Sequence, residues 1–301
     1  MEDVTDSVFR RVVAGIAKPD VFFTEFTSVD GLFSKGRDAV IHRFDYTKAE
    51  RPIVAQVWGT KPELFYKAAK LIVDLGFDGM DINMGCPDKS VVSHGAGACL
   101  IAERTQVDKI ITAAKEGLEG RIPLSVKTRL GYKKISPDWI PFLLEQDLDA
   151  LTIHGRTAAE LSKVPAHWDE IGKAVAIKNQ MKSETLIIGN GDVIDYADAV
   201  GKCKTYGADG AMIGRGIFHN LWAFDRHGVS HMDDHKELFR IMREHVRLFD
   251  EVWGTAKNFA VLKKFFKIYV QGFPNASELR EKLMRTGSPQ EVEEILTSFG
   301  V

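Results

Sequence analysis

The sequence predicts an α/β fold of the TIM (β/α)8-barrel type followed by a small C-terminal helical domain. Three observations carry this. Short β-branched runs alternate with amphipathic helical stretches between residues 20 and 216. Most of these runs are apolar almost throughout, as parallel strands covered on both faces are. Beyond Arg215 the strand pattern stops and helical periodicity runs to the end. A length of 301 residues accommodates a barrel of roughly 250 residues with a small unit to spare.

In chain order, residues 5–17 form the first predicted helix, with Asp3 or Thr5 as its N-cap, and no strand precedes it. Strands are expected at residues 21–26, 52–58, 79–84, 124–130, 150–154, 186–190 and 210–214. Helical patterns between them include 63–75, 106–116, 137–146 and 196–206. Repeating βα units fit an open doubly wound sheet or a closed barrel. Closure takes eight strands, and seven are counted. The first strand is therefore expected to be missing at the N-terminus, leaving two exposed sheet edges and a less stable sheet. Residues 222–232, with Gly228, read as a connection. Residues 233–253, 255–270, 277–285 and 289–299 then read as a four-helix unit. The expected division is a barrel over residues 1–228 and a helical domain over 229–301.

The composition is that of a soluble globular protein, 45% hydrophobic and 27% charged. The net charge of −2 gives no global sign of nucleic acid, so any such surface must come from local clustering. Cys86, Cys99 and Cys203 show no paired spacing, which fits a reducing cytoplasm better than a disulfide framework, and no metal site is expected. The acidic start is not a signal peptide, and no apolar run approaches the 18 or so residues that span a bilayer.

In a barrel the C-terminal ends of the strands form the active face. Here those ends present Gln56, then Asn83-Met84-Gly85-Cys86-Pro87, then Lys127 and Arg129. His154-Gly155-Arg156, Asn190-Gly191-Asp192 and Gly214-Arg215-Gly216 follow. Glycines after the last two strands let backbone N–H groups approach a phosphate, as tight turns alone also would. Arg215 adds a charge. Lys127, between apolar neighbours, requires an anionic or electron-rich partner, be it a flavin or a structural carboxylate. Cys86, held in a Gly/Pro loop at the barrel mouth, is an acid, base, nucleophile or packing group. Cys99 and Cys203 read as core.

These motifs, taken in order with Gly95-Ala-Gly-Ala-Cys-Leu100, the opening Met1-Glu-Asp-Val-Thr-Asp6 and Gly272-Phe-Pro274, resemble the tRNA-dihydrouridine synthases over nearly the whole chain. The Asn-Met-Gly-Cys-Pro element is specific; the others are shared with other flavin barrels. The resemblance implies FMN at the barrel mouth, NADPH as reductant, and hydride transfer to C6 of a uracil in tRNA. It implies Cys86 as the acid that protonates C5. Gln56, Lys127 and His154 would contact the isoalloxazine and ribityl chain, and Asn190, Gly191, Asp192, Gly214 and Arg215 the phosphate end. Asn83 and Arg156 would line the uracil or flavin site. Of the family's Ala-Pro-Met turn against the flavin, only Met1 remains.

Between Lys257 and Arg285 seven basic residues stand against two acidic ones. They suggest a tRNA backbone platform with Lys263, Lys264, Lys267 and Arg280 on it, interleaved with Phe265, Phe266, Tyr269 and Phe273. The bland alternative is a solvated helix face over an aromatic core. Nothing points to a protein partner or membrane, and a monomer is expected. Two other functions compete: a small-molecule flavin reductase of the dihydroorotate dehydrogenase or old-yellow-enzyme type, and a tRNA-binding protein with dispensable catalysis. The tRNA position modified is not legible.

Overall fold

The computed structural model describes residues 4–300. Its first helix, α1 (Ser7–Ile16), is capped by Asp6, which accepts the Phe9 N–H at 3.0 Å; the cap is therefore neither Asp3 nor Thr5. Of the strand expected over 21–26 only β1 (Phe22–Phe23) forms, and a second short piece, β2 (Thr27–Ser28), lies beyond it; both pair with β3 (Ile53–Trp58). The break has a local cause. The Gln56 N–H donates to the Thr24 hydroxyl at 3.0 Å, so a side chain replaces a backbone rung of the ladder.

The one-turn helix α2 (Val29–Leu32) precedes β3, and α3 (Pro62–Asp74) follows it with Pro62 at its first turn, where the missing N–H costs nothing. Next come β4 (Gly79–Met84), α4 (Lys89–Val92), α5 (Arg104–Leu118) and β5 (Leu124–Arg129). After them run α6 (Trp139–Leu144), β6 (Ala150–His154), α7 (Trp168–Met181) and β7 (Leu186–Asn190). The series closes with α8 (Tyr196–Tyr206) and β8 (Gly210–Met212). All pairings are parallel, in the order β1-β3-β4-β5-β6-β7-β8, and among the described residues β8 does not pair with β1. The sheet is thus a curled, open barrel of the TIM type.

The register sorts the strands more finely than their apolar character suggested. Ala55, Val57, Met80, Ile82, Met84, Val126, Leu151, Ile153 and Ile187 are fully buried. Among the alternate residues of β3 to β5 are six polar ones, Gln56, Asp81, Asn83, Ser125, Lys127 and Arg129. Strand side chains alternate between faces, so one face of the sheet packs in the hydrophobic core and the other is a polar lining.

After β8 the described chain is helical: α9 (His235–Trp253), α10 (Phe266–Tyr269), α11 (Ala276–Leu283) and α12 (Pro289–Ser298). The helix expected over 255–270 is instead a 3-10 helix, Phe259–Phe265, leading into the single turn of α10. Gly254 ends α9 at φ 47°, and Lys257 in the segment that follows reaches Asp6 at 2.9 Å. One hydrophobic cluster joins these helices to the barrel. At its junction Phe9 of α1 lies 4.7 Å from the Phe265 ring and 5.6 Å from that of His245.

Candidate active site

Parallel register stacks the polar lining into tiers. The lowest runs Gln56–Asp81–Ser125–Ala150 across β3 to β6. Above it runs Asn83–Lys127–Thr152–Ile188 across β4 to β7. The top tier, at the C-terminal ends, is Arg129–His154–Asn190–Met212 across β5 to β8. Residues far apart in sequence are neighbours here because each strand contributes every second side chain.

Cys86 sits just above β4 on a turn held from three sides. Asn83 Oδ1 accepts the N–H groups of Gly85 and Cys86, at 3.1 and 2.9 Å. Arg129 Nε donates to the Gly85 carbonyl at 2.8 Å, and the Ala98 N–H donates to the Cys86 carbonyl at 3.0 Å. The last contact explains Gly97, which has φ 60° and whose added Cβ would stand 2.6 Å from the Cys86 oxygen. The thiol is half-buried and lies within the field of both Lys127 and Arg129.

The electrostatics are dominated by crowded cations. Burial, reinforced by Arg129, lowers Lys127 to about 8. Burial, with Arg156 adding to it, lowers Arg129 to about 10. Burial and then Lys127, Arg129, Arg156 and Arg215 drive His154 far below its ordinary range, so its imidazole is neutral. Its Nε2 faces Arg156 Nη1 at 3.3 Å. Nε2 is therefore the acceptor, which leaves the proton on Nδ1.

Arg156, only 3% exposed, also donates to the Val164 carbonyl at 2.6 Å and pairs with Asp192. Burial opposes ionisation of Asp192, but Arg156 and the Ala166 N–H hold its carboxyl below the usual range. Arg215 stands 3.7 Å from the same carboxylate and is otherwise open to solvent. Gly191 adopts φ 116°, and a Cβ there would approach Ala166 at 2.8 Å and His154 at 3.0 Å. Asn190 Nδ2 donates to the Met212 carbonyl at 2.8 Å, tying β7 to β8. Around Gly214 the space is open.

Gln56, Asn83, Cys86, Lys127, His154, Arg156, Asn190, Gly191, Asp192, Gly214 and Arg215 thus gather on the lining and the strand-end loops. Met1 lies outside the described residues. Lys263, Lys264, Lys267 and Arg280 belong to the C-terminal helical region instead. There Lys263 Nζ donates to the Met284 carbonyl at 3.0 Å and Arg280 to that of Val270 at 2.7 Å. Lys264 and Lys267 are exposed. Phe265, Phe266 and Tyr269 are core residues, so they offer no stacking surface. Cys99 and Cys203 are half-buried rather than fully buried, and Cys99 Sγ donates to the Val92 carbonyl at 3.6 Å.

Sequence reasoning passed over Asp81. It is fully buried, accepts Ser125 Oγ at 2.6 Å and Gln56 Nε2 at 2.7 Å, and is raised by burial to about 6. The signal was present: an aspartate inside an apolar strand, two residues before Asn83 and hence on its face.

Comparison with known proteins agrees over the full length. The family model described as dihydrouridine synthase (Dus) matches residues 1–299. The chain is 45% identical over 303 positions to a probable tRNA-dihydrouridine synthase 2 of Bacillus subtilis, covering 99% of this chain and 92% of that protein. It is 44% identical to a probable tRNA-dihydrouridine synthase of Staphylococcus epidermidis, with 99% and 91% covered. A Staphylococcus aureus protein of the same name is 43% identical over the same shares.

Proposed function

This chain belongs to the dihydrouridine synthase family, and from that premise we propose that it reduces a uridine of tRNA to 5,6-dihydrouridine, with Cys86 as proton donor. The observation that carries the reading is the convergence of four cations on a neutral His154, one of which, Arg129, also clamps the Cys86 turn at the strand ends. Such a donor set, with Asp192 already engaged, fits an anionic planar ligand bearing a phosphate.

FMN fits that description. Lys127 would hold its electron-rich edge and Gln56 and His154 would orient the ring and ribityl chain. The turns at Asn190-Gly191-Asp192 and Gly214-Arg215 would receive the phosphate, where the space beside Gly214 is open. Once bound and reduced by NADPH, the flavin supplies the hydride that enters C6 of the uracil.

The protein's own task is the complementary proton. A thiol placed against C5 can deliver that proton as a general acid. The thiolate left behind is stabilised by Lys127 and Arg129 until solvent reprotonates it. Asn83 holds the turn, and Arg156 fixes His154 and Asp192. A base inside a folded tRNA must leave its stack to reach this face.

In this reading residues 1–228 are the catalytic unit and 229–301 bear on tRNA through Lys263, Lys264, Lys267 and Arg280, the enzyme working as a cytoplasmic monomer. No helix among the described residues is long and apolar enough to cross a membrane. The family match favours this reading over a small-molecule flavin reductase. The test is mass spectrometry of unmodified tRNA after incubation with the protein, FMN and NADPH. A gain of about 2 Da per target uridine, the two added hydrogens, is expected. Oxidation of the reduced protein by free uracil or orotate but not by tRNA would refute it.

A further inference from the structure

We propose that Asp81 is a positioning residue that sets the place of the Cys86 thiol through a one-directional chain of hydrogen bonds; this rests on the reading of Cys86 as the proton donor. The chain runs along the lining from floor to rim. Ser125 Oγ and Gln56 Nε2 both donate to Asp81, at 2.6 and 2.7 Å. Asn83 Nδ2 donates to Gln56 Oε1 at 3.0 Å. The Gly85 and Cys86 N–H groups donate to Asn83 Oδ1 at 3.1 and 2.9 Å.

The direction is fixed from both ends. A carboxylate accepts only, so Gln56 must turn its NH2 toward Asp81 and its oxygen toward Asn83. Backbone N–H groups donate only, so Asn83 must turn its oxygen toward the Cys86 turn and its NH2 toward Gln56. The two requirements meet without conflict, and each amide has one orientation that satisfies all its neighbours. Without an acceptor at the floor, Gln56 loses the group that selects its orientation. A Gln56 turned the other way presents its NH2 to Asn83, whose oxygen is then contested between Gln56 and the Gly85 and Cys86 N–H groups, which loosens the Cys86 turn. Because the chain is buried, an unpaired member cannot turn to water for a substitute.

Asp81 itself is ionised at neutral pH. Burial raises it, while Ser125, Gln56 and Lys127 hold it down to about 6. The chain does not demand that charge. An asparagine at 81 can present its oxygen to Gln56 and its NH2 to Ser125 Oγ, keeping the direction intact.

The experiment is peptide-resolved alkylation of the full-length chain by iodoacetamide, with half-buried Cys99 as internal reference. Asp81→Leu and Gln56→Leu are each expected to speed Cys86 alkylation about fivefold, the factor set by one net hydrogen bond of about 1 kcal/mol. Cys99 should keep its wild-type rate, and Asp81→Asn should bring Cys86 back to within about twofold of wild type. Should Asp81→Leu fail to fold, Gln56→Leu decides alone, since it leaves the carboxylate with Ser125 and cuts the second link. Wild-type rates at Cys86 in the folded leucine variants would overturn the proposal. So would an Asp81→Asn protein as fast as Asp81→Leu, or a Cys99 rate that rises in step with Cys86. The alkylation needs no tRNA, whereas the proton-donor role is tested by turnover of Cys86→Ala, so the two ideas fail separately.

Discussion

The strand-end face of the barrel and the C-terminal helices both hold many cations, and they use them in opposite ways. On the barrel face Lys127, Arg129 and Arg156 are drawn together with Asp81, Asp192 and Glu160 as nearby carboxylates; Arg129 lowers Lys127, Arg156 lowers Arg129, and all three lower His154. In the helices the charges are mostly spent nearby. Lys257 pairs with Asp6, Lys282 with Glu278 and Arg285 with Glu281, while Lys263 and Arg280 cap carbonyls. A count of basic residues ranks the helices first, but burial and partner number rank the barrel face first. Exposed pairs lose most of their field to solvent, whereas a crowded, partly dry cluster keeps it.

That contrast breaks most visibly at the thiol. Cys86→Ala is expected to cut tRNA reduction by about 10²–10⁴-fold, the usual contribution of a general acid, with circular dichroism unchanged; a loss under about tenfold would remove Cys86 from the chemistry. Next comes Lys127→Met, which takes away a charged donor worth about 1.5–3 kcal/mol. It should weaken flavin retention by roughly 10- to 100-fold in a fluorescence titration, and by the same physics raise the pKa of His154, measured by NMR.

Lys257→Met tests the helical side. It leaves the Asp6 carboxylate, 11% exposed, without its cation, and should lower unfolding stability in urea by about 1–3 kcal/mol. Burial works to raise the Asp6 pKa, but Lys257 and the Phe9 N–H bring it below the ordinary carboxylate range. The unfolded state therefore binds that proton first. The stabilisation is complete above the unfolded value and is lost as pH falls through the folded one, a dependence the variant should lack.

The smallest effect belongs to the exposed lysines. Lys264→Ala with Lys267→Ala should weaken tRNA binding by a few-fold and reduce the salt slope of log K by roughly 1 to 2. An unchanged slope would move the RNA contact elsewhere.

Much of the barrel was legible because buried parallel strands are written continuously. Residues 79–84, 150–154 and 186–190 were expected as strands and are β4, β6 and β7 to the residue. The strand-end residues were legible for the same reason, since an apolar run that stops at His154 or Asn190 marks the rim. What escaped depended on neighbours distant in sequence. Strand 21–26 breaks because the Thr24 hydroxyl takes a rung from Gln56. Asp81 acquires its meaning from Gln56 and Ser125 on flanking strands. The basic stretch looked available because its partners, Asp6 for Lys257 and Met284 for Lys263, lie far along the chain.

The tie between Asp6 and Lys257 also joins the N-cap of α1 to a loop 251 positions later. On a ribosome adding roughly 5–20 residues per second, α1 is made tens of seconds before the side chain that completes its N-terminal turn. Until then its apolar face, Phe9 included, has no Phe265 or His245 to cover it. Before that α1 is held to the barrel by the buried Arg10–Glu50 pair alone among its long-range charges, and the aromatic side of its packing is completed only once His245 and Phe265 are in place.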